Sequence, residues 1–323
     1  MRLLPGFCGL LLAANFCAAQ AATKQDWLKT VALAGHQTDY SGVFVYQYGS
    51  HVEVSRIAHV VGSDGEYEKL EGLDGPKHEI IRLHGQVWCY SNHKMVQVDS
   101  QQGAGQFPLM LPEQLSALSE NYQVKELDIE RVAGFNTQVI LLQPRDNLRY
   151  AHKLWVHTDS GLLLKSAVLN DRNQVVEQYA FTQLKLGAEV DRSWTTSSAT
   201  RDLPGIQGKP AQNKLAPNVS GWVVDAMPAG FKKTMEVLRP MHGKHAPVSQ
   251  MVYSDGLSAI SVFIEPADSD EDDNEGLSSR GAVNLYHKVV DKHLFNVVGE
   301  VPPKTVMQVL DSIRYNGSTV VAR

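Results

Sequence analysis

Twelve histidines, one dense run of carboxylates and a single cysteine beyond the N-terminal segment are the side chains that invite a chemical reading of this sequence. Zinc sites need thiolates or imidazoles at short, regular spacings, because four ligands must converge on one ion. The tightest histidine pair lies in His242-Gly243-Lys244-His245, beside lysines and with no adjacent thiol or carboxylate, and no His-Glu-x-x-His occurs. That segment reads as an ordinary polar loop. His51, His59, His78 and His84 fall in or beside alternating segments and read as solvent-facing residues of strands rather than as bases. Asp268, Asp270 and Asp272 take the first, third and fifth positions of a calcium loop, but Asp273 stands where glycine is needed and Ser279 where a bidentate glutamate should be. The run therefore reads as a solvated, self-repelling loop, with a weak cation site or a contact for a basic partner as the sharper alternative. Cys89, inside Val87-Trp88-Cys89-Tyr90, reads as a buried inert thiol. No G-x-S-x-G elbow or phosphate-cradling glycine loop is present, and nucleophile, base and oxyanion donors cannot be assembled. The expectation is a binding protein, not an enzyme, with no metal and no cofactor.

The 323 residues, 43% apolar and 20% charged, exclude a disordered tail, a collagen-like fibre and a small disulfide scaffold. Six acids between 268 and 275 account for the whole formal charge of −5. The remainder is balanced, which argues against a nucleic-acid partner. Arg2, the apolar run 3–14 and the small residues around Ala18-Ala19-Gln20-Ala21 have the form of an export signal over residues 1–21, too short to span a bilayer. Cys8 and Cys17 lie inside it, and Phe16 is not the small residue that a lipid-attachment signal places before its cysteine. The mature chain then keeps only Cys89 and relies on packing rather than an internal disulfide.

The elements that would position any site follow from periodicity. Thr23-Lys24-Gln25-Asp26 has capping-box spacing, and Trp27, Leu28, Val31 and Ala32 then share one helical face. Period-two segments follow at 43–48, 52–61, 78–83, 86–90, 122–130, 136–142, 150–157, 162–170 and 175–184, with a helix at about 112–122 after a Gly/Gln-rich loop at 101–106. About ten strands without strand-helix alternation imply one large antiparallel sheet that curls, its concave face covered by helices. Phe44, Tyr46, Trp88, Tyr90, Trp155 and Leu164 are the residues expected to line that face, bounding an apolar ligand pocket or filling a core. Residues 188–217 carry Ser/Thr, Pro and Gly clusters and read as a linker. The fold class is thus α+β, with an N-terminal domain at 22–187 and a smaller C-terminal α+β domain at 218–323. In the latter, strands are expected at 232–238, 249–253 and 257–264, and a helix opened by Pro302-Pro303 presents Val306, Val309, Leu310 and Ile313.

Six stretches in order carry a family resemblance. They are Tyr40-Ser41-Gly42-Val43-Phe44-Val45-Tyr46, Leu73-Asp74-Gly75-Pro76-Lys77-His78-Glu79, Leu154-Trp155-Val156-His157-Thr158-Asp159-Ser160-Gly161-Leu162, Met227-Pro228-Ala229-Gly230-Phe231, Val252-Tyr253-Ser254-Asp255-Gly256-Leu257 and Val298-Gly299-Glu300-Val301-Pro302-Pro303. Together they resemble the RseB/MucB family of periplasmic regulators of the envelope-stress sigma factor. The resemblance implies a half-barrel similar to the LolA and LolB lipoprotein carriers, followed by a second domain. It also implies a periplasmic location and a partner, the periplasmic segment of a transmembrane, RseA- or MucA-like anti-sigma factor, which the protein would shield from regulated proteolysis. Lipopolysaccharide or another acylated lipid would release it. The N-terminal domain would sense lipid, the C-terminal domain would hold the partner, and Tyr253, Ser254, Asp255 and Gly256 are the candidate partner-binding residues. A periplasmic lipoprotein or lipid carrier is the alternative, disfavoured because simple carriers lack a second domain. A homo-oligomer is left open, and the acidic run is not among the family's motifs.

Overall fold

The computed structural model describes residues 24–83, 85–91, 94–98, 107–108, 111, 115–195, 220–239, 247–267 and 275–316. The signal at 1–21, the loop at 101–106, His84, the pair His242 and His245, the acids at 268–274 and the linker from 196 onward lie outside them. No helix among the described residues is long and apolar enough to cross a membrane.

Helix α1 (Lys24–Gln37) forms where the sequence predicts, and its apolar stripe buries Leu28, Val31 and Ala32 against the N-terminal sheet. That sheet comprises β1 (Tyr40–Tyr48), β2 (His51–Gly62), β3 (Gly65–Gly72), β4 (Glu79–Leu83), β5 (Gln86–Ser91), β6 (Lys94–Val98), β7 (Tyr122–Val132), β8 (Phe135–Pro144), β9 (Ala151–His157), β10 (Leu163–Leu169) and β11 (Val175–Leu186). The eleven strands run in the order β6-β5-β4-β3-β2-β1-β11-β10-β9-β8-β7, so the long-range β1·β11 pair joins two meanders into one antiparallel sheet. Register shifts at Val43/Phe44, Leu163/Lys165, Val168/Leu169 and Glu126/Ile129 are bulges, which bend strands and deepen twist. The sheet curls so far that β7 returns to within 8 Å of β11. Its inner face is packed by α1, by helix α2 (Ser116–Asn121) through the fully buried Leu118, and by Phe107 and Leu111.

The C-terminal part holds a six-stranded antiparallel sheet of β13 (Lys232–Arg239), β14 (Val248–Ser254), β15 (Ala259–Pro266), β18 (His293–Gly299), β17 (Val283–Val290) and β16 (Gly276–Arg280), in that order. Helix α3 (Pro303–Asp311) packs on β17 and β18, with proline at its first turn, where no backbone N–H is needed. It buries Val306, Val309 and Leu310, as the spacing predicts. A ribbon of β12 (Trp222–Val224) and β19 (Ile313–Tyr315) is tied on by Trp222, whose ring meets Phe295 and Tyr315 edge-on, both at 5.1 Å.

Several expectations need correction. The described residues are mostly β with few helices, so α+β overstates the helical share. Strands β3, β6, β12 and β16–β19 are not among the predicted ones. Strand β3 (Gly-Glu-Tyr-Glu-Lys-Leu-Glu-Gly) carries charge on both faces and looks like a loop in sequence, yet its charges are paired on neighbouring elements: Glu68 with Arg82, Lys69 with Glu79, Glu71 with Arg56 and Glu66 with His36. Strand β17 breaks the apolar alternation with Asn284, which is buried because its amide donates to Tyr150 Oη, Ala282 O and Val301 O. His59 does not face solvent: it is 1% exposed, stacked 4.9 Å from Tyr40 and bonded to Thr38 O and Glu66. Cys89 is half-buried rather than buried. The first residues assigned to the linker form short 3-10 turns, Gly187–Glu189 and Ser193–Thr195, and Arg192 between them pairs with Asp39.

Candidate functional site

The residues expected to line one apolar face divide into three groups. Phe44, Trp155 and Leu164 belong to the main N-terminal core. Phe44 is packed by Phe107, Phe181 and Tyr179, with ring centroids at 5.2, 5.9 and 6.3 Å, so this part of the concave face is filled by aromatic side chains. Trp155 donates Nε1–H to Glu130 at 2.7 Å, and the ammonium groups of Lys153 and Lys165 stand 4.6 and 4.5 Å from its ring. Trp88 sits apart, in a small cluster with Leu83, Tyr67 and Ile81, while Tyr90 is half-buried under the Lys77 ammonium. Tyr46 stacks on Tyr179 at 4.4 Å but sends its hydroxyl toward the C-terminal domain.

That hydroxyl leads to an extended polar constellation, the contact between the two domains. Tyr46 donates to Glu177 at 3.0 Å, and the same carboxylate oxygen accepts the backbone N–H of Ala282 from the β16–β17 hairpin at 2.9 Å. Burial, then the Glu177 charge, pushes the Tyr46 hydroxyl pKa upward, so it stays a donor. Gly281 in this hairpin has φ +59°, and a Cβ there would meet Glu177 Oε2 at 2.3 Å. Only glycine meets both demands. Beside it Arg280 pairs with Glu53 and lies 5.6 Å from the Tyr48 ring, and Ala282 packs with Tyr150 and Val168.

At the other end of the contact, the β14–β15 turn carries the candidate partner-binding residues. Tyr253 is buried in the C-terminal core, and Ser254 and Gly256 shape the turn through a Gly256 N–H to Ser254 Oγ bond of 3.0 Å. Asp255 Oδ1 accepts the N–H groups of Leu257 and Ser258, the turn that aspartate side chains favour. Its Oδ2 accepts Arg149 Nε–H at 2.7 Å and the Tyr122 hydroxyl at 3.1 Å. Arg149 also bonds Asp146 and Ala229 O and lies 4.9 Å from the Phe231 ring. Both charged side chains are out of water, at 1% exposure for Arg149 and 0% for Asp255. Leu257 from the same turn packs against the N-terminal core, and Thr305 of α3 donates to Leu148 O at 2.9 Å. Buried His152 meets Tyr122 edge-on, and its Nε2 has no hydrogen-bond partner among the described residues. Burial lowers its pKa to about 4, so the ring is neutral near pH 7.

Sequence reasoning singled out Asp255 and Gly256 but not Arg149, Tyr122 or Glu177. Arg149 stands 106 residues from Asp255, and nothing local marks the two as partners. Around Asp255, Oδ1 fixes its own turn through the Leu257 and Ser258 N–H groups, while Oδ2 fixes one domain against the other through Arg149 and Tyr122.

Comparison with known proteins agrees with this two-part build. Residues 23–199 match the MucB/RseB N-terminal domain, and residues 216–314 match the MucB/RseB C-terminal domain. The sigma factor AlgU regulatory protein MucB of Pseudomonas aeruginosa is 33% identical over 303 residues, 92% of each chain. The sigma-E factor regulatory protein RseB of Escherichia coli K12 is 24% identical over 320 residues, 98% of each chain. A solved structure of MucB in complex with MucA(peri) superposes with a TM-score of 0.73 at 30% identity, covering 92% of this chain and 100% of that one. A structure of MucB gives 0.62 at 31% identity, covering 92% and 99%. With both family domains matched in order and a full-length relative above 30% identity, this chain belongs to the MucB/RseB family, whose curated relatives are sigma-factor regulatory proteins and not enzymes.

Proposed function

We propose that this protein is a periplasmic negative regulator of an envelope-stress sigma factor. It binds the periplasmic segment of a transmembrane anti-sigma factor, shields that segment from regulated proteolysis, and lets go when lipopolysaccharide or another acylated ligand binds. The observation that carries this reading is the superposition of nearly the whole chain on MucB in complex with MucA(peri). The export signal read over residues 1–21 supports the compartment. Two domains in contact through a specific polar interface give a ligand two arrangements to discriminate, which any release mechanism requires, because a ligand shifts an equilibrium only by its differential affinity for the two states. The filled aromatic packing around Phe44 means that an acyl chain entering the N-terminal domain has to displace side chains, and so couples binding to rearrangement. The test is calorimetric titration of the mature chain with the periplasmic segment of its anti-sigma factor, with and without lipopolysaccharide. Saturable binding that lipopolysaccharide weakens supports the reading; no binding, or binding indifferent to lipopolysaccharide, counts against it.

A further inference from the structure

We propose that the buried Arg149–Asp255 pair is a conformational latch, holding the two domains in the arrangement that receives the anti-sigma segment, so that release proceeds through its opening. The second half of this proposal rests on the function proposed above; the first half does not.

The pair has the properties of a latch rather than of a general stabiliser. Its members come from different domains, on the β8–β9 loop and the β14–β15 turn, and both side chains are excluded from water. Taking two charges out of water costs nearly as much as their attraction returns, so such a pair adds little net stability. Removing Asp255, by contrast, leaves the buried Arg149 guanidinium with only the partly exposed Asp146 as counter-charge, which is unfavourable. The bond is therefore highly selective for one geometry. Asp255 Oδ1 is already held by Leu257 N–H and Ser258 N–H within its own turn, so the carboxylate is preset before docking. Arg149 and Tyr122 complete Oδ2 only when the domains meet. On separation both ions regain hydration, which makes the open state accessible as well.

The surroundings act with the pair. Leu257 is carried by the same turn into the N-terminal core, and Thr305 reaches Leu148 O two residues from the edge of β9's preceding loop. Gly230, at φ +87°, lets the Ala229 carbonyl approach Arg149; a Cβ there would lie 2.2 Å from Asn121 Oδ1. The Glu177 contacts with Ala282 and Tyr46 fasten the far end. The chain in this latched state superposes at 0.73 on MucB in complex with MucA(peri) and at 0.62 on MucB. The two comparison structures thus differ in how well they superpose on this chain as a whole.

The experiment uses the full mature chain and two variants, Asp255→Asn, which keeps shape but removes the charge, and the gentler Tyr122→Phe, which removes one donor. Solution X-ray scattering reports domain separation, calorimetric titration reports affinity for the anti-sigma segment, and near-UV circular dichroism checks that each domain stays folded. The latch predicts an expanded scattering profile for Asp255→Asn with affinity reduced by about tenfold, since the buried guanidinium then keeps only Asp146 as counter-charge. Tyr122→Phe should show the same changes at smaller amplitude. Unchanged scattering in the folded variants overturns the latch. Expanded scattering with unchanged affinity overturns its link to the partner. A wild-type chain that does not bind the segment at all refutes the functional reading and that link with it, while the scattering result still decides the latch.

Discussion

Replacing Phe44 with alanine removes a ring that is 5% exposed and packed by Phe107, Phe181 and Tyr179. No neighbouring strand can move in to fill the space, because β1 is pinned on both sides by β2 and β11. A large-to-small change in such a site costs the lost transfer energy of the ring plus the cavity it leaves, about 3–5 kcal/mol for Phe→Ala. For a domain of this size that corresponds to a lowering of the melting temperature by roughly 6–20 °C. The assay is urea denaturation followed by tryptophan fluorescence. A loss below about 1 kcal/mol would refute the reasoning, because it would mean that the ring borders pre-existing empty space and that the concave face is an open cavity. In that case the cavity, and not side-chain displacement, would be the route for an acylated ligand.

Two further predictions concern the domain contact. His152 is neutral and buried beside Tyr122 and Asp255, with its pKa lowered from 6.5 to about 4. Because the folded pKa lies below the unfolded one, its contribution is full above about pH 6.5 and is lost as pH falls toward 4, by about 3 kcal/mol. The difference in urea stability between wild type and His152→Gln should therefore change across that interval; identical pH dependence of the two proteins argues against the burial assigned to this ring. Gly49 and Gly281 both have positive φ, +54° and +59°, but a Cβ at Gly49 meets nothing within 4 Å whereas one at Gly281 strikes the Glu177 carboxylate. Gly49→Ala should cost about 1 kcal/mol from backbone conformation alone, and Gly281→Ala more than this because it also breaks the Glu177–Ala282 bond. Thermal denaturation of both variants separates the two costs, and equal losses would place the hairpin tip away from Glu177.

The parts of the fold legible in sequence are those whose burial is periodic. Helix α1 shows its stripe in Leu28, Val31 and Ala32, and α3 shows both its proline start and its buried Val306, Val309 and Leu310. Strands β8, β9 and β10 are apolar enough to announce themselves. Strand β3 is hidden because its charges find partners on adjacent strands, and β17 because a buried asparagine replaces an apolar residue. His59 departs from the solvent-facing expectation for a related reason: a polar side chain in a strand is buried when a carbonyl and a carboxylate await its two ring nitrogens. The site was legible only in part. The motif around Asp255 stands out by resemblance, but the residues that complete it, Tyr122 and Arg149, belong to a different domain, and pairing over 106 residues leaves no local signal.

The central claim is that the chain protects an anti-sigma factor until an acylated ligand intervenes. It is tested most directly by timing cleavage of the anti-sigma factor's periplasmic part by its envelope protease in a reconstituted mixture. With the mature chain in excess, cleavage should slow strongly, and lipopolysaccharide should restore the original rate while an unacylated polysaccharide should not. A cleavage rate indifferent to the chain would contradict the account.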